Sequence, residues 1–165
     1  IAPKGGKAIR FCCLYLPNGN PVASEKYPYK LDWMAALQAR VEALLPLEES
    51  LVVAGDYNVI PTPADVHDPA AWAKDALFLP TTRAAWRRLA NLGLTDAIRA
   101  CNALPGQYTF WDYQAGAWPK NNGIRIDHLM LSPQAADRLA SAGIDRHVRS
   151  WDKASDHVPA WCTLQ

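Results

Sequence analysis

The amino-acid sequence predicts an α/β fold in which helices and sheets form separate layers. Apolar runs of strand length alternate with segments of helical periodicity, and this alternation is typical of layered α/β domains. The chain has 165 residues, of which 50% are hydrophobic. That length suffices for one well-packed domain and is too short for two typical ones. We therefore expect residues 1–165 to belong to a single domain.

The first part of the chain predicts two strands with one helix between them. Residues 1–7 predict a hairpin turn that leads into a strand from Ile9 to Tyr15. After a loop over residues 17–28, apolar residues recur every three to four positions and predict an amphipathic helix: Leu31, Met34, Leu37, Val41 and Leu44. The apolar run from Leu51 to Ala54 then predicts a buried strand.

The middle of the chain predicts a long loop followed by a helix. Residues 61–80 contain several prolines and predict mostly loop, with one helical turn near Ala70. Loops of this length inside compact domains are usually functional. Thr81 and Thr82 predict the N-terminal cap of a helix over residues 83–92, and Gly93 predicts its end.

The last part of the chain predicts a strand, a helix and a final strand. Gly123 precedes the first of these strands, which is expected to run through Leu131. Ser132 predicts a helix cap, with Pro133 in the first helical position and Gly143 just past the helix end. The alternation of apolar and polar residues over residues 157–164 predicts the final strand.

Charge and cysteine content narrow the function classes. The formal net charge is only +1, so any contact with nucleic acid must come from local groups and not from a broad basic surface. No apolar run approaches the ~20 residues of a transmembrane helix, and we expect no membrane partner. Four cysteines without a Cys-x-x-Cys spacing favour reduced, packed thiols in a cytoplasmic protein over a disulfide framework or a zinc site.

Acidic, amide and imidazole side chains stand at the ends of the apolar runs in three short motifs. These are Gly55-Asp56-Tyr57-Asn58, Arg125-Ile126-Asp127-His128-Leu129 and Ser155-Asp156-His157. If the extended conformation persists past Ala54, Asp56 and Asn58 point the same way, although such dipeptides are also common in turns that end strands. Groups of these types suit metal-assisted hydrolysis of a phosphate ester.

Two nearby carboxylates distinguish His157 from the other histidines. Asp156 precedes it, and Asp127 lies on what should be the neighbouring strand. A carboxylate bonded to one ring nitrogen fixes the tautomer and favours the protonated imidazolium. That cation can face a scissile phosphate.

Five stretches, in order along the chain, carry a resemblance to a known family. They are Tyr15-Leu16-Pro17-Asn18-Gly19, Gly55-Asp56-Tyr57-Asn58-Val59, Tyr108-Thr109-Phe110-Trp111-Asp112-Tyr113, Asn122-Gly123-Ile124-Arg125-Ile126-Asp127-His128 and Ser155-Asp156-His157-Val158-Pro159. In these stretches the chain resembles the C-terminal part of the exonuclease III class of AP endonucleases, within the endonuclease/exonuclease/phosphatase superfamily. The five stretches together span nearly the whole sequence.

The resemblance implies a fold more specific than the α/β class. Members of this family form a four-layer α/β sandwich, in which two sheets pack face to face between helices. By resemblance, residues 1–165 are the C-terminal part of one nuclease catalytic domain and supply one sheet nearly whole and part of the other. We therefore expect an N-terminal segment of the same protein to be a partner, carrying a metal-binding Glu and an active-site Asn that have no counterpart here.

The resemblance also implies roles for the polar residues of the motifs. Asp56 is expected to act as general base or acid on the attacking water, and Asn58 to hold the phosphate in the transition state. Asp127 is expected to orient His157. The resemblance assigns the divalent metal, Mg²⁺ or Mn²⁺, to Asp156 with Asp56 and Asn58, since oxygen ligands suit these ions better than zinc.

Further residues are expected to contact the substrate. By resemblance, Tyr15 contacts the phosphate or the leaving group, and Asn18 contacts the DNA backbone. Phe110 and Ile124 match positions that line a small apolar pocket for a flipped-out abasic deoxyribose, which excludes a nucleotide that still carries its base. The loop over residues 114–122 offers DNA phosphate contacts at Lys120, Asn121 and Asn122.

The expected function is that of a Mg²⁺-dependent DNA repair nuclease. Its substrates would be double-stranded DNA with abasic sites or 3′ ends, cleaved as an AP endonuclease, a 3′-to-5′ exonuclease or a 3′-phosphodiesterase. Two alternatives stay open at this point. One is a phosphatase or phosphodiesterase of the same superfamily that acts on inositol phosphates or phospholipids. The other is a catalytically inactive DNA-binding fragment.

Overall fold

A computed structural model describes residues 1–2 and 6–165 of the chain. The predicted hairpin turn falls largely on residues 3–5, which lie outside the described residues. On either side of them, Ile1 and Ile9 exchange two backbone hydrogen bonds, at 2.8 and 2.7 Å. These bonds hold the first residue against the start of the first strand.

The main sheet has four strands in the spatial order β1-β2-β4-β3. Their bounds are Ile9–Tyr15 for β1, Ser50–Asp56 for β2, Thr95–Asp96 for β3 and Asp127–Leu131 for β4. Strands β1 and β2 are parallel, whereas β4 runs antiparallel to both β2 and β3. The central strand β2 is buried from Ser50 to Ala54, which agrees with the continuous apolar run in its sequence.

The two faces of the main sheet are covered by different layers. On one face pack the helices α1 (Lys26–Leu44) and α2 (Pro80–Ala90). On the other face packs a two-stranded antiparallel sheet of β5 (Leu139–Ile144) and β6 (Ala160–Leu164). Three short helices complete the fold: α3 (Ala97–Cys101), α4 (Ala117–Lys120) and α5 (Pro133–Ala136). The predicted α/β layering, with two sheets facing each other, is confirmed.

Helix α1 begins five residues earlier than the apolar periodicity predicts. Pro28 lies in its first turn, where a missing backbone N–H costs nothing because the first N–H groups of a helix have no intrahelical partner. Met34, Val41 and Leu44 are buried as expected. Lys30 is also fully buried on this helix, which the sequence pattern did not predict.

The predicted cap of α2 is wrong. Pro80 occupies the first helical position after Leu79, so the helix begins before Thr81 and Thr82. The hydroxyl of Thr82 donates instead to the carbonyl oxygen of Ala76 at 2.7 Å. This bond ties the helix to the preceding loop.

The helix predicted to run from Ser132 to Gly143 is the largest error of the sequence analysis. Ser132 does cap a helix, but α5 ends at Ala136, and Gly143 lies inside strand β5. A Cβ added to Gly143 would lie 2.7 Å from the ring of Trp161 on the neighbouring strand. Apolar side chains of β5 pack onto the main sheet, and this burial outweighs the local helix signals.

Both predicted strands near the C-terminus begin later than expected. Strand β4 starts at Asp127, because residues 123–126 form only isolated bridges, made by Ile124 with Val66 and Phe110. The last strand starts at Ala160 and not at residue 157.

All four cysteines lie among the described residues and are free thiols. No helix in the described part of the chain is both long enough and apolar enough to cross a membrane.

Candidate active site

The catalytic candidates meet at one end of the main sheet. In the strand register Tyr15 pairs with Asp56, and Asp56 pairs with Asp127, so these ends of β1, β2 and β4 lie side by side. Next to them is a cleft of about 340 Å³. Seven predicted site residues line it: Tyr15, Asn18, Asp56, Asn58, Phe110, Ile124 and His157. The motifs at the strand ends therefore converge on one cavity.

Asp56 and Asn58 approach each other through a turn, which is one of the two alternatives that the sequence left open, and not through a continued strand. Strand β2 ends at Asp56, and Asn58 has a left-handed backbone with φ +47°. One oxygen of the Asp56 carboxylate accepts a hydrogen bond from the Asn58 backbone N–H at 2.8 Å. The other accepts from Asn58 Nδ2 at 3.1 Å. An Asx-type turn thus holds both polar groups at the cleft.

A buried lysine fixes the two loops that carry the asparagines. Lys30 Nζ donates to the carbonyl oxygens of Asn18 at 2.9 Å and Asn58 at 2.5 Å. The side chains of the two asparagines are also joined, since Asn18 Nδ2 donates to Asn58 Oδ1 at 3.1 Å. Burial lowers the pKa of Lys30 to about 7, although the charges of Asp75 and Asp56 oppose the shift. Lys30 therefore positions the asparagines from behind the cleft.

Asp127 and His157 form the predicted pair. His157 Nδ1 lies 2.8 Å from Asp127 Oδ2, and the carboxylate only accepts, so Nδ1 carries a proton. Burial lowers the pKa of His157, but the hydrogen bond to Asp127 and the charges of Asp127 and Asp56 outweigh it and raise the pKa above its usual value. Asp127 does not line the cleft; it lies behind the imidazole and favours the imidazolium.

Asp56 has the most perturbed carboxyl group of the cleft. Burial raises its pKa to about 6, and the negative charge of Asp127 acts in the same direction. The hydrogen bond from the Asn58 backbone and the charges of His157 and Lys30 oppose the rise. A carboxyl group with a pKa near neutrality is suited to proton transfer. We refer to Asp56, Asn58, Asp127 and His157 as the cleft cluster.

The cleft offers oxygen donors for a metal ion. Asp56 and Asn58 line it, whereas Asp156 does not, and the Asp156 carboxylate accepts a 3.3 Å hydrogen bond from the Ser155 hydroxyl. Within residues 1–2 and 6–165, no group of three or more His, Cys, Asp or Glu side chains is arranged to hold an ion. Mg²⁺ binds through one or two carboxylates and keeps several waters, so these donors fit Mg²⁺ or Mn²⁺ in chemical type. The ligand set stays a prediction.

Apolar side chains form one part of the wall of the cleft. Phe110 and Ile124 belong to this wall, as predicted, together with Trp72, Leu77 and Ile126. The ring of Phe110 meets the ring of His157 edge to face, with a centroid distance of 5.0 Å. A small apolar surface therefore lies directly beside the imidazole of His157.

The loop over residues 114–122 lies beside the cleft and is not part of its lining. Asn121 is exposed, and its side-chain oxygen accepts hydrogen bonds from Trp111 Nε1 at 3.2 Å and from Arg146 at 2.8 Å. Its amide oxygen thus stabilises the loop. The predicted contact of Asn121 with DNA stays a prediction.

A second charged cluster is centred on a buried arginine, with Asp96 and Arg99 partly exposed at its edge. Arg125 is 1% exposed, and its guanidinium donates to Asp65 and Asp96 at 2.7 Å each and to His128 Nδ1 at 3.0 Å. Arg99 pairs with the same Asp65 carboxylate. We refer to these five residues as the buried network. It joins the loop before Val66 to the segment that carries Ile124, so it supports the apolar wall of the cleft.

The protonation states of the buried network follow from its contacts. His128 Nδ1 accepts from Arg125, so the ring proton lies on Nε2, which donates to the Val59 carbonyl at 2.9 Å. Burial and the charge of Arg125 lower the pKa of His128 to about 4. Burial alone would raise the pKa of Asp65, but Arg125 and Arg99 bring it down to about 2. The histidine is neutral and the aspartate ionised at neutral pH.

Three groups of this region were missed in the sequence analysis. Asp65 had a usable signal, because Thr62 and Asp65 have the spacing of a capping box and do form one. Trp72 also had a signal, because it is a large aromatic residue in a long loop and long loops inside compact domains are usually functional. Lys30 had no signal in the sequence, since only the folded chain shows which carbonyl groups surround it.

Comparison with known proteins agrees with this geometry. Residues 1–157 match the sequence model of the Endonuclease/Exonuclease/phosphatase family. The exodeoxyribonuclease III of Haemophilus influenzae is 32% identical over 159 residues, which cover 92% of this chain and 60% of the relative. An exodeoxyribonuclease of Bacillus subtilis is 31% identical over 88% of this chain and 56% of its own length. The chain thus spans somewhat more than half of these two relatives.

Solved structures agree in fold. An AP endonuclease from Archaeoglobus fulgidus superimposes with a TM-score of 0.90 at 32% identity, covering 94% of this chain and 61% of that one. A Neisseria 3′ phosphatase bound to a product DNA hairpin gives a TM-score of 0.92 at 32% identity, covering 95% and 61%. The four-layer α/β sandwich predicted from the five stretches, and the resemblance itself, are confirmed.

Proposed function

The chain belongs to the Endonuclease/Exonuclease/phosphatase family, and from this premise we propose that it is the catalytic part of a metal-dependent nuclease for DNA repair. Its substrates would be phosphodiester bonds at abasic sites and at 3′ ends. One observation carries the proposal: His157, held from behind by Asp127, and the Asp56–Asn58 turn face a single cleft at the sheet end. A general base, a cation and a phosphate-binding amide are thereby brought within reach of one bound phosphate.

Asp56 is the group we propose to handle the attacking water. Its carboxyl pKa of about 6 leaves it mostly ionised at neutral pH, yet basic enough to accept a proton in the transition state. Its partial burial lowers the local dielectric constant, which strengthens its interaction with a positioned water. Asp56 therefore combines the protonation state and the position that a general base needs.

His157 is the proposed source of positive charge. Its raised pKa favours the imidazolium, which stabilises the charge that develops on the phosphate oxygens. Asp127 fixes the ring tautomer, so that Nε2 and its proton are available to the substrate. Asn58 and Asn18, already joined to each other, and Tyr15 at the exposed rim offer hydrogen bonds to the phosphate or the leaving group.

We assign the metal to oxygen donors of the same region. Asp56, Asn58 and Asp156 are the residues of this chain that would hold Mg²⁺ or Mn²⁺. When bound, such an ion polarises the phosphate and lowers the pKa of a coordinated water. Asp156 would also raise the pKa of the adjacent His157, in the same direction as Asp127 and Asp56. The oxygen donors of Asp56 and Asn58 in the cleft lining and the family membership support this assignment.

The DNA substrate is inferred from the relatives and from the apolar wall. The relatives include proteins named for action on abasic DNA, among them the Archaeoglobus fulgidus AP endonuclease. The wall formed by Phe110 and Ile124 suits the apolar faces of a sugar without its base.

Free thiols at all four cysteines support our placement of the protein in a reducing, cytoplasmic compartment.

Three labelled substrates separate this proposal from its alternatives. They are an abasic duplex, a duplex with a recessed 3′ end and a soluble inositol phosphate, each incubated with Mg²⁺, with Mn²⁺ or with EDTA. The protein should include any sequence that precedes residue 1 in its reading frame. We expect cleavage of both DNA substrates only with a metal ion. Hydrolysis of the inositol phosphate alone would overturn the DNA assignment, and DNA binding without any cleavage would overturn the enzymatic one.

A further inference from the structure

A second cavity adjoins the cleft and has no part in the proposed hydrolysis. Its volume is about 270 Å³. The two cavities share four lining residues, namely Trp72, Phe110, Asp112 and Ile124. No member of the cleft cluster lines the second cavity. It is therefore a separate recess, one wall away from the catalytic groups.

We propose that this second cavity binds the nucleobase of a nucleotide whose phosphate lies in the cleft, with the ring of Trp72 as the stacking surface. The inference rests on the proposed nuclease function and adds a base-binding subsite to it. Stacking on an aromatic side chain tolerates any of the four bases, because every base has a π-face. A subsite of this kind would retain the strand without reading its sequence.

The chemistry of the lining favours a neutral ring over a phosphate. Asp56, Asn58 and His157, to which we assign the phosphate and its metal ion, do not line this cavity. Its titratable side chains are His67 and Asp112, and Asp112 is shared with the cleft. Apolar and aromatic side chains make up much of the wall. Gln114 and Asn122 add amide groups, which carry the donors and acceptors that pair with base edges.

The position of the cavity fits a nucleotide next to the scissile phosphate. Phe110 lines both cavities, and its ring also contacts the ring of His157. A phosphate beside His157 and a base beyond Phe110 are therefore separated by one side chain. That separation suits the base and the phosphate of the same nucleotide.

Trp72 is held in place before any ligand binds. Its backbone N–H donates to the Asp68 carbonyl at 3.4 Å, and its carbonyl accepts from the Asp75 N–H at 2.9 Å. Its side chain is half-buried and packs against the apolar cluster that includes Ile124. A fixed aromatic surface loses little conformational entropy when a base stacks on it.

The test measures what the base adds to binding. The first pair of ligands is deoxyadenosine 5′-monophosphate and 2-deoxyribose 5-phosphate, which differ in the presence of the base. The second pair, deoxyadenosine 3′-monophosphate and 2-deoxyribose 3-phosphate, tests a base whose sugar lies on the other side of the phosphate. Dissociation constants come from NMR titration, with Mg²⁺, of the protein that includes any sequence preceding residue 1 in its reading frame. The chain is compared with Trp72→Leu, which removes the π-face and keeps apolar volume, with Trp72→Phe, and with Trp151→Leu. Trp151 is 62% exposed and lines neither cavity.

We expect the base to tighten binding about 5- to 150-fold in at least one of the two series. Trp72→Leu should reduce this ratio to about one, Trp72→Phe should retain most of it, and Trp151→Leu should leave it unchanged. Sugar phosphates that bind equally well with and without a base, or a ratio that survives in a folded Trp72→Leu, would overturn the subsite while leaving the nuclease proposal intact. If no nucleotide, sugar phosphate or DNA oligonucleotide binds, the proposed function fails, and the subsite fails with it.

Discussion

The cleft cluster and the buried network share the short segment 125–128, yet they balance their charges in opposite ways. In the buried network two arginines face two aspartates, and the histidine is neutral. In the cleft cluster, Asp56 and Asp127 lie beside a single imidazole, and the charge of Asp156 acts on it as well. The network is neutral within itself, whereas the cleft has more carboxylates than cations.

This difference in charge balance distinguishes charged residues that stabilise the fold from charged residues that bind a ligand or transfer a proton. A cluster whose charges cancel has no capacity left for a ligand, and its removal is felt as lost stability. A cluster with excess carboxylates is completed by a proton or a cation, and its pKa values are shifted towards neutrality, which is typical of active sites. Substitutions in the two clusters should therefore move different observables.

The largest effect is expected in the cleft. His157→Ala and Asp56→Asn should each lower the rate of cleavage of abasic duplex by at least about 10²-fold, the usual contribution of a general acid or base. The free energy of unfolding should change little, because both side chains are partly exposed. Cleavage rates and urea denaturation measure the two effects on the same preparations. A near-normal rate in either variant would remove that residue from the mechanism.

For Arg125→Met we expect a large loss of stability and not primarily a loss of cleavage rate. This change leaves Asp65 and Asp96 without their shared guanidinium, and breaking a buried ion pair from one side typically costs about 3–5 kcal/mol. Urea denaturation should show the loss as a lower midpoint. Arg10→Met is the matched control, since the Arg10–Glu49 pair is exposed and should contribute little. Equal destabilisation by both changes would contradict the structural role of the network.

The neutral histidine of the network predicts a pH dependence of stability. The pKa of His128 is about 4 in the folded chain against 6.5 in an unfolded one. Because the unfolded state binds the proton more readily, stability is lost as the pH falls from about 6.5 to about 4, by roughly 3 kcal/mol. The raised pKa of Asp56, about 6, acts in the opposite direction over the same pH range, so the contribution of His128 is the difference between two profiles. His128→Gln should remove the acid-side loss that is due to His128, whereas His147→Gln, at an exposed position, should leave the profile unchanged. A His128→Gln profile parallel to that of the unmodified chain would show that His128 is not buried as a neutral ring.

The smallest effect is expected at the rim of the cleft. Tyr15 is 71% exposed, and Tyr15→Phe removes only a hydroxyl group that could bond to the phosphate or the leaving oxygen. Loss of one neutral hydrogen bond corresponds to a rate decrease of about 2- to 12-fold. Steady-state kinetics should detect this decrease with no change in the thermal midpoint. A decrease as large as that of His157→Ala would give Tyr15 a more direct role.

The elements predicted correctly from the sequence are those whose signals are local. Strand β1 and the buried part of β2 follow from apolar runs, and most of α1 follows from its periodicity. Strand β5 could not be predicted in this way, because its sequence carries helix signals that are overcome by packing onto the main sheet. Propensity is a weak prior wherever tertiary contacts decide burial.

The same distinction applies to the site. Asp56, Asn58 and His157 lie in short motifs whose residue types already indicate their chemistry. Lys30 and Arg125 act through contacts with residues distant in sequence, such as the Asn58 carbonyl and Asp65. Such contacts exist only after folding, so no spacing in the sequence predicts them.

Two isosteric substitutions, measured side by side, test the central claim that the cleft cluster carries the chemistry and the buried network the stability. Asp127→Asn and Asp65→Asn each replace one carboxylate by an amide, the first beside His157 and the second beside Arg125. Cleavage rates and unfolding free energies are measured for both, at a temperature where both are folded. We predict at least a 10²-fold slower rate with stability within about 1 kcal/mol for Asp127→Asn, and a loss of about 3–5 kcal/mol with a nearly normal rate for Asp65→Asn. A folded Asp65→Asn as slow as Asp127→Asn, or an Asp127→Asn of normal rate, would contradict the claim.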